Sequence, residues 1–205
     1  MNRDNVALII RLDHKELKKQ IIVANVHIHW DPAYKDVKLL QSIMLLEELE
    51  KQASLHPKAA ILACGDFNSL PNSGVYELMS QGTLKESHED FCKYTYEPYT
   101  TEGFSHSLAL KSAYSSIGEP AFTNYTPLFK GTIDYIWYRS SSLALTGLLG
   151  PISEEYISRV IGLPSPHFPS DHVSQLAEFK IKNHLANVST QMRRGVVPKN
   201  NKNFY

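Results

Sequence analysis

Four short stretches of this chain set Asp, Asn or His against the end of an apolar run. They are NVHIHWDP at 25–32, GDFNSLP at 65–71, GTIDYIWY at 131–138 and PSDH at 169–172. Short apolar runs bounded by turn residues read as buried strands. Polar groups of these types are costly inside such a run unless paired or solvated, so they belong at strand ends. Strands mixed with few helices, and polar residues at their ends, predict an α/β protein with sheets packed on each other.

The pass along the chain adds detail. Val6 to Arg11 and Ile21 to His29 read as two strands of a hairpin joined by polar DHKELKK. Asp31-Pro32 is a helix-start signal, a capping oxygen before a residue with preset φ. Tyr34 to Gln52 reads as a helix, with Leu39, Ile43 and Leu46 on one stripe and Val37, Leu40 and Met44 beside it. Ala59 to Ala63 reads as a strand with GDFNSLP leaving it, and Ser73 as the cap of a short helix to Met79. Residues 82–120 show little periodicity and read as long surface connections. Strands resume at Ala121 to Tyr125, Thr132 to Arg139, Leu143 to Leu148 and Val173 to Ile181. The chain divides into a domain over 1–182 and a basic tail over 183–205 that reads as disordered.

Composition narrows the class. The 205 residues suffice for one core, and the 42% hydrophobic and 20% charged fractions are ordinary for a globular protein. Lys+Arg and Asp+Glu are both 21, so a nucleic-acid surface would have to be local. Cys64 reads as a core residue, and Cys64 and Cys92 suggest neither a disulfide framework nor a zinc site. The start, MNRDNVALII, lacks the apolar stretch of a signal peptide, and no run approaches a membrane span. No membrane partner is expected, and the chain reads as cytoplasmic or nuclear.

The polar stretches suit phosphodiester hydrolysis. That reaction needs charge neutralisation, usually by Mg²⁺ on carboxylates, a positioned water and a stabilised leaving oxygen. Asp66 and Asn68 lie two apart, so an extended backbone points both the same way. An Asx-rich turn is the competing reading. Gly65 would allow a tight turn. Asp171 and His172 could pair a carboxylate with an imidazole, although Asp-His is also a common surface dipeptide. Asp134 interrupts an apolar strand, so it either faces solvent on an open sheet face or has a fixed partner such as His172. His27 and His29 share one face of a strand, which leaves zinc binding or hydrogen-bonded sheet histidines. Trp30 reads as packing.

The order of these motifs, (N)xH then GDFNS then GxIDY then SDH, resembles the C-terminal motif series of the endonuclease/exonuclease/phosphatase superfamily. HWDPAYKDVKLLQ, GDFNSLPNSGVYELM, SAYSSIGEPAFTNYTPLFKGTIDYIWY, TGLLGP and HFPSDH resemble its deadenylase branch. Those are the nuclease subunits of the large eukaryotic carbon-catabolite-repression mRNA deadenylase complex. The resemblance covers about residues 3–180. It implies a four-layer α/β sandwich, two packed and mainly antiparallel sheets with outer helices, of which this chain is the C-terminal half. It implies an Mg²⁺-dependent 3′ exoribonuclease that removes poly(A) and releases 5′-AMP, working with other deadenylase subunits. By matching position, Asp66 is expected to act on the attacking water near a two-metal site. Asn68 would bind phosphate and the metal shell, and Asp134 would pair with His172. Asp171 and His172 would lie at the metals, and His27 would be the other active-site histidine. Phe129 and Pro32 would hold the adenine base. The family's upstream Asn and Glu, the Glu a main Mg²⁺ ligand, would precede Met1, as would the leucine-rich repeats of many such subunits. Other phosphoesterases of the superfamily, a DNA-repair endonuclease or an inositol phosphate phosphatase, remain the alternative, as does a non-catalytic binding remnant.

Overall fold

The computed structural model describes residues 4–182. The expected tail over 183–205 lies outside the described residues. Strands β1 (Ala7–His14) and β2 (Lys19–His27) form the opening hairpin. Pairing continues to His14 opposite Lys19, so both strands reach further toward the turn than the apolar residues alone indicate.

Helix α1 spans Lys35–Leu55. Asp31-Pro32 does not cap it: Asp31 Oδ1 accepts from the Ala33 N–H at 2.9 Å, which makes a turn before the helix. Leu39, Ile43, Leu46 and Leu49 are fully buried, Leu45 joins them, and Met44 faces solvent. Strand β3 (Ala60–Asp66) then runs parallel to β2. Helix α2 (Gly74–Gln81) starts on Ser73, whose side chain accepts from the Tyr76 N–H, and stops at Gly82, where φ is +77°.

Short β4 (Thr83–Leu84) pairs with β5 (Phe104–Ser105), and β6 (Leu110–Ser112) joins the main sheet. Residues 82–120 are thus more than surface connections. Leu84, Phe91, Leu108 and Leu110 are buried in the main core. Irregular backbone hides this anchoring from any periodicity argument, because single apolar residues do the packing. Hairpin β7 (Asn124–Tyr125) and β8 (Lys130–Gly131) precedes β9 (Asp134–Arg139). Strands β10 (Leu143–Leu148) and β11 (Ala177–Ile181) form a second hairpin. Val173 is not in β11, because its N–H donates to Thr123 O beside β7.

The main sheet has the order β1-β2-β3-β9-β6, with β2 and β3 parallel and the rest antiparallel. Alternation gives it two faces. Ile22, Ala24, Val26, Ile61, Ala63, Tyr135 and Trp137 form one core with α1 and α2. Trp137 is fully enclosed there, whereas Trp30, expected to pack, is 68% exposed. The opposite face carries Val23, Leu62, Cys64, Ile136 and Tyr138. Cys64 is therefore half-buried rather than core. The β10–β11 hairpin meets this second face, where Phe179 packs on Tyr138 with ring centroids 4.9 Å apart. Leu8, Ile10 and Leu12 of β1 lie exposed on the same face.

Candidate active site

Three strands bring side chains to one level on the face opposite α1. The register places His27 of β2 opposite Asp66 of β3, and Asp66 opposite Asp134 of β9. All three stand at the same end of the sheet. Gly65 makes the approach of β2 and β3 possible just before this level. Its φ is +137°, and a Cβ there would sit 1.9 Å from Val26 O. The glycine serves a close strand contact, not the tight turn expected from sequence.

Asp66 faces this cluster with both oxygens assigned. Oδ1 accepts from the Asn68 N–H at 2.7 Å. Oδ2 lies 3.5 Å from His27 Nε2 and 3.9 Å from His172 Nε2. Burial raises the Asp66 pKa above the usual carboxylate value; the Asn68 N–H opposes this and the Asp134 charge adds to it. The extended-strand expectation for Asp66 and Asn68 does not hold. Asn68 has φ +47°, a left-handed conformation that Asn tolerates better than most residues. The pair forms an Asx-type turn, and that turn is what aims both residues.

Asn68 is held on three sides. Its Nδ2 donates to Ile28 O at 2.9 Å, and its carbonyl accepts from Lys38 Nζ at 2.7 Å. Lys38 is 6% exposed on the first turn of α1. Burial pulls its pKa below the usual ammonium value, against the pull of Asp66, Asp31 and Asp90.

Asp134 does have the partner considered for it. Its Oδ2 lies 2.9 Å from His172 Nδ1. That bond turns His172 Nε2 toward Asp66. Burial draws the His172 pKa down, but Asp134, Asp66 and Asp171 together raise it above the ordinary imidazole value. His172 is anchored through its backbone bridge to Asn124 of β7. Asn124 Nδ2 also donates to Asp171 Oδ2 at 3.2 Å. Fully buried Thr123 accepts from the N–H groups of Ile133 and Asp134 at 2.9 and 3.0 Å.

The sequence-expected residues thus sort into two sets. His27, Asp66, Asn68, Asp134, Asp171 and His172 converge in one connected cluster. Pro32 and Phe129 stay outside its hydrogen bonds. Pro32 is exposed on the loop after Ile28. The Phe129 ring and Leu70 both border Gly131, which sets the aromatic beside the GDFNSLP loop. His29 parts from His27: it is buried and edge-on to Tyr34, with its N–H on Gln41 Oε1. Lys38, Thr123 and Asn124 were not singled out from sequence. A lysine in the apolar stretch VKLL was the one available signal.

Ligand atoms of Asp66, Asp134 and His172 lie within 4.8 Å of one another, the one such grouping of three among the described residues. Two carboxylates directly opposite across a β-ladder repel, so this pair suits a cation. Carboxylate and amide oxygens with one imidazole form a hard donor set compatible with a divalent ion. The arrangement could bind a metal, present a basic carboxylate to water and offer an imidazole N–H to an anion.

Comparison with known proteins agrees with this chemistry. Residues 4–172 match the Endonuclease/Exonuclease/phosphatase family. The chain is 45% identical over 204 residues to the CCR4-Not complex 3′-5′-exoribonuclease subunit Ccr4 of Mycosarcoma maydis, covering 89% of this chain and 30% of that protein. Against the Yarrowia lipolytica subunit of the same name the figures are 48% identity, 89% and 29%. The chain therefore spans about 30% of the length of these relatives. Among solved structures it resembles ANGEL2, a 2′,3′-cyclic phosphatase, in complex with adenosine-2′,3′-vanadate. The TM-score is 0.72 at 30% identity, over 86% of this chain and 61% of that one. The human Nocturnin catalytic domain shares the fold, with a TM-score of 0.65 at 24% identity over 89% and 55%.

Proposed function

The chain belongs to the endonuclease/exonuclease/phosphatase family, and from that premise we propose that it is the C-terminal part of a catalytic domain that shortens poly(A) in mRNA. The proposed reaction is 3′-to-5′ phosphodiester hydrolysis releasing 5′-AMP. The observation that carries it is the row His27–Asp66–Asp134, completed by His172 at 2.9 Å from Asp134.

Asp66 Oδ2 accepts a proton from the attacking water. Burial raises its pKa in the metal-free site, which favours proton acceptance there. His172, anchored through Nδ1, directs Nε2–H at a phosphoryl oxygen, and its raised pKa favours the charged donor. Asp134 fixes the orientation of the ring through Nδ1. Asn68 contacts the scissile phosphate with the amide atoms left free of Ile28. Asp66, Asn68 and Asp134 would hold Mg²⁺, with Asp171 close by through Asn124 and His172 on the phosphate. An ion held there would supply neutralisation of the phosphate charge.

Two findings support adenine as the base, and a third supports the reaction and the partners. Phe129 offers a partly exposed ring beside the GDFNSLP loop, and stacking suits single-stranded RNA. The ANGEL2 structure holds an adenosine derivative. The Ccr4 relatives are named as exoribonucleases and as CCR4-Not subunits, which also supports other complex subunits as partners. The proposed substrate fits the cytoplasmic and nuclear setting read from the sequence.

The test uses the full-length protein with Mg²⁺ on A-tailed RNA, abasic DNA, inositol polyphosphates and 2′,3′-cyclic AMP. A-tailed RNA should be shortened with release of 5′-AMP, and EDTA should stop it. Asp66→Ala should lower turnover by about 10² to 10⁴, the usual range for a general base. A full-length protein that prefers any of the other three substrates would overturn the reading.

A further inference from the structure

We infer that Lys38 is a positioning residue: through one hydrogen bond it fixes the Asn68 peptide, and with it the atoms that meet metal and phosphate. This rests on the function proposed above for Asn68.

Lys38 comes from α1, outside the four polar stretches that build the site, yet its Nζ sits 2.7 Å from Asn68 O. A lysine only 6% exposed needs a reason, since burying an ammonium costs several kcal/mol unless it is paired or hydrogen-bonded. Among the described residues its one hydrogen-bond acceptor is a backbone carbonyl in the site, with Asp66, Asp31 and Asp90 in electrostatic range. That carbonyl belongs to a residue with φ +47°, where a non-glycine backbone is strained and persists when its surroundings impose it. Four contacts impose it. The Asn68 N–H is tied to Asp66 Oδ1, Nδ2 to Ile28 O, the following Ser69 O to the Tyr135 hydroxyl at 2.7 Å, and the Asn68 carbonyl to Lys38. The first sets a neutral N–H on the Asp66 carboxylate, and the next two are neutral on both sides. Lys38 supplies the one charged donor, and charge-assisted hydrogen bonds are about twice as strong as neutral ones.

The geometry has a direct consequence. With its carbonyl turned toward α1 and one Nδ2 hydrogen on Ile28, Asn68 keeps Oδ1 free of any hydrogen bond among the described residues. Losing the Lys38 bond lets the 68–69 peptide rotate. Oδ1 then loses its fixed direction, while Asp66 and Asp134 stay on their strands. Lys38 also sets a positive charge within electrostatic range of Asp66.

The experiment is a double-mutant cycle in the full-length protein with Lys38→Met and Asn68→Ala. Two quantities are read: the Mg²⁺ concentration at the midpoint of metal-induced thermal stabilisation, and kcat against KM on A-tailed RNA. K38M should raise the Mg²⁺ midpoint about three- to tenfold and lower kcat at least tenfold with little change in KM. In the N68A background K38M should change neither midpoint nor kcat further, because its effect passes through Asn68. A K38M effect that adds in full to N68A, or a fall in melting temperature without a midpoint shift, would overturn the inference. Should K38M not fold, Lys38→Gln, a neutral donor of shorter reach, is read the same way, and a wild-type midpoint in K38Q overturns it. The metal titration needs no turnover. A shifted midpoint in a protein that does not act on A-tailed RNA would sink the proposed reaction and leave the role of Lys38 standing.

Discussion

Single side chains at this site do more than one job, and the least visible ones carry the geometry. Thr123 is enclosed, and its Oγ1 accepts two consecutive N–H groups, those of Ile133 and Asp134. It thereby sets where β9 begins and how Asp134 meets His172. Thr123→Val keeps the shape and strands both donors. The expected cost is about 1–3 kcal/mol per unsatisfied buried group, read by urea denaturation, with lower turnover from the displaced Asp134. A Thr123→Val protein within about 0.5 kcal/mol of wild type would show that the two N–H groups find other partners. Asp66, Asn68, Asp134 and His172 were legible in the sequence because an acid, amide or imidazole is conspicuous beside an apolar run. Thr123, Asn124 and Lys38 were not. A threonine is ordinary near a strand, and a helical lysine ordinarily faces water.

At the scale of elements, α1, β2, β3 and the 143–148 strand could be read from periodicity, while β4, β5 and β6 could not. Strands of two or three residues leave no period to detect. His106, in that unreadable segment, ties it to α2. Its Nε2 lies 3.0 Å from Leu78 O, and its Nδ1 accepts from the Leu108 N–H at 3.3 Å, a pairing that uses the neutral ring. Burial holds its pKa below 6.5, opposed by Leu78 O and Glu50. The unfolded chain therefore takes up this proton first as pH falls. The contribution of His106 is fully present above about pH 6.5 and is lost on descending toward the folded pKa. Wild type should lose urea resistance between pH 7.5 and 5.5, and His106→Gln should lose less. Equal losses in both proteins would remove His106 from the account. The interplay of Gly65 and Val26 belongs to this scale too: the turn read from sequence is a strand contact, because only the neighbouring backbone decides what a glycine is for.

The whole molecule is lopsided. One face of the main sheet is sealed by helices, and the other is met by the β10–β11 hairpin at Tyr138 while Leu8, Ile10 and Leu12 stay in solvent. Exposed apolar rows on an edge strand favour association. The 205-residue chain should self-associate with rising concentration, and Leu8→Thr with Leu12→Thr should reduce this in sedimentation. Each change should cost no more than about 0.5 kcal/mol, as for a surface position. A strongly destabilised double variant would mean that these leucines are covered in solution. The same asymmetry divides the two tryptophans of the chain. Trp137 is sealed in the core, and Trp30 stands 68% exposed two residues before Pro32 and two after Ile28, whose carbonyl holds Asn68. Their emission should therefore separate by colour, blue from Trp137 and red from Trp30. Iodide would quench only the red component. The chain carries an optical reporter of its fold and another of its site, and RNA arriving at the rim could be watched through the second without any added label.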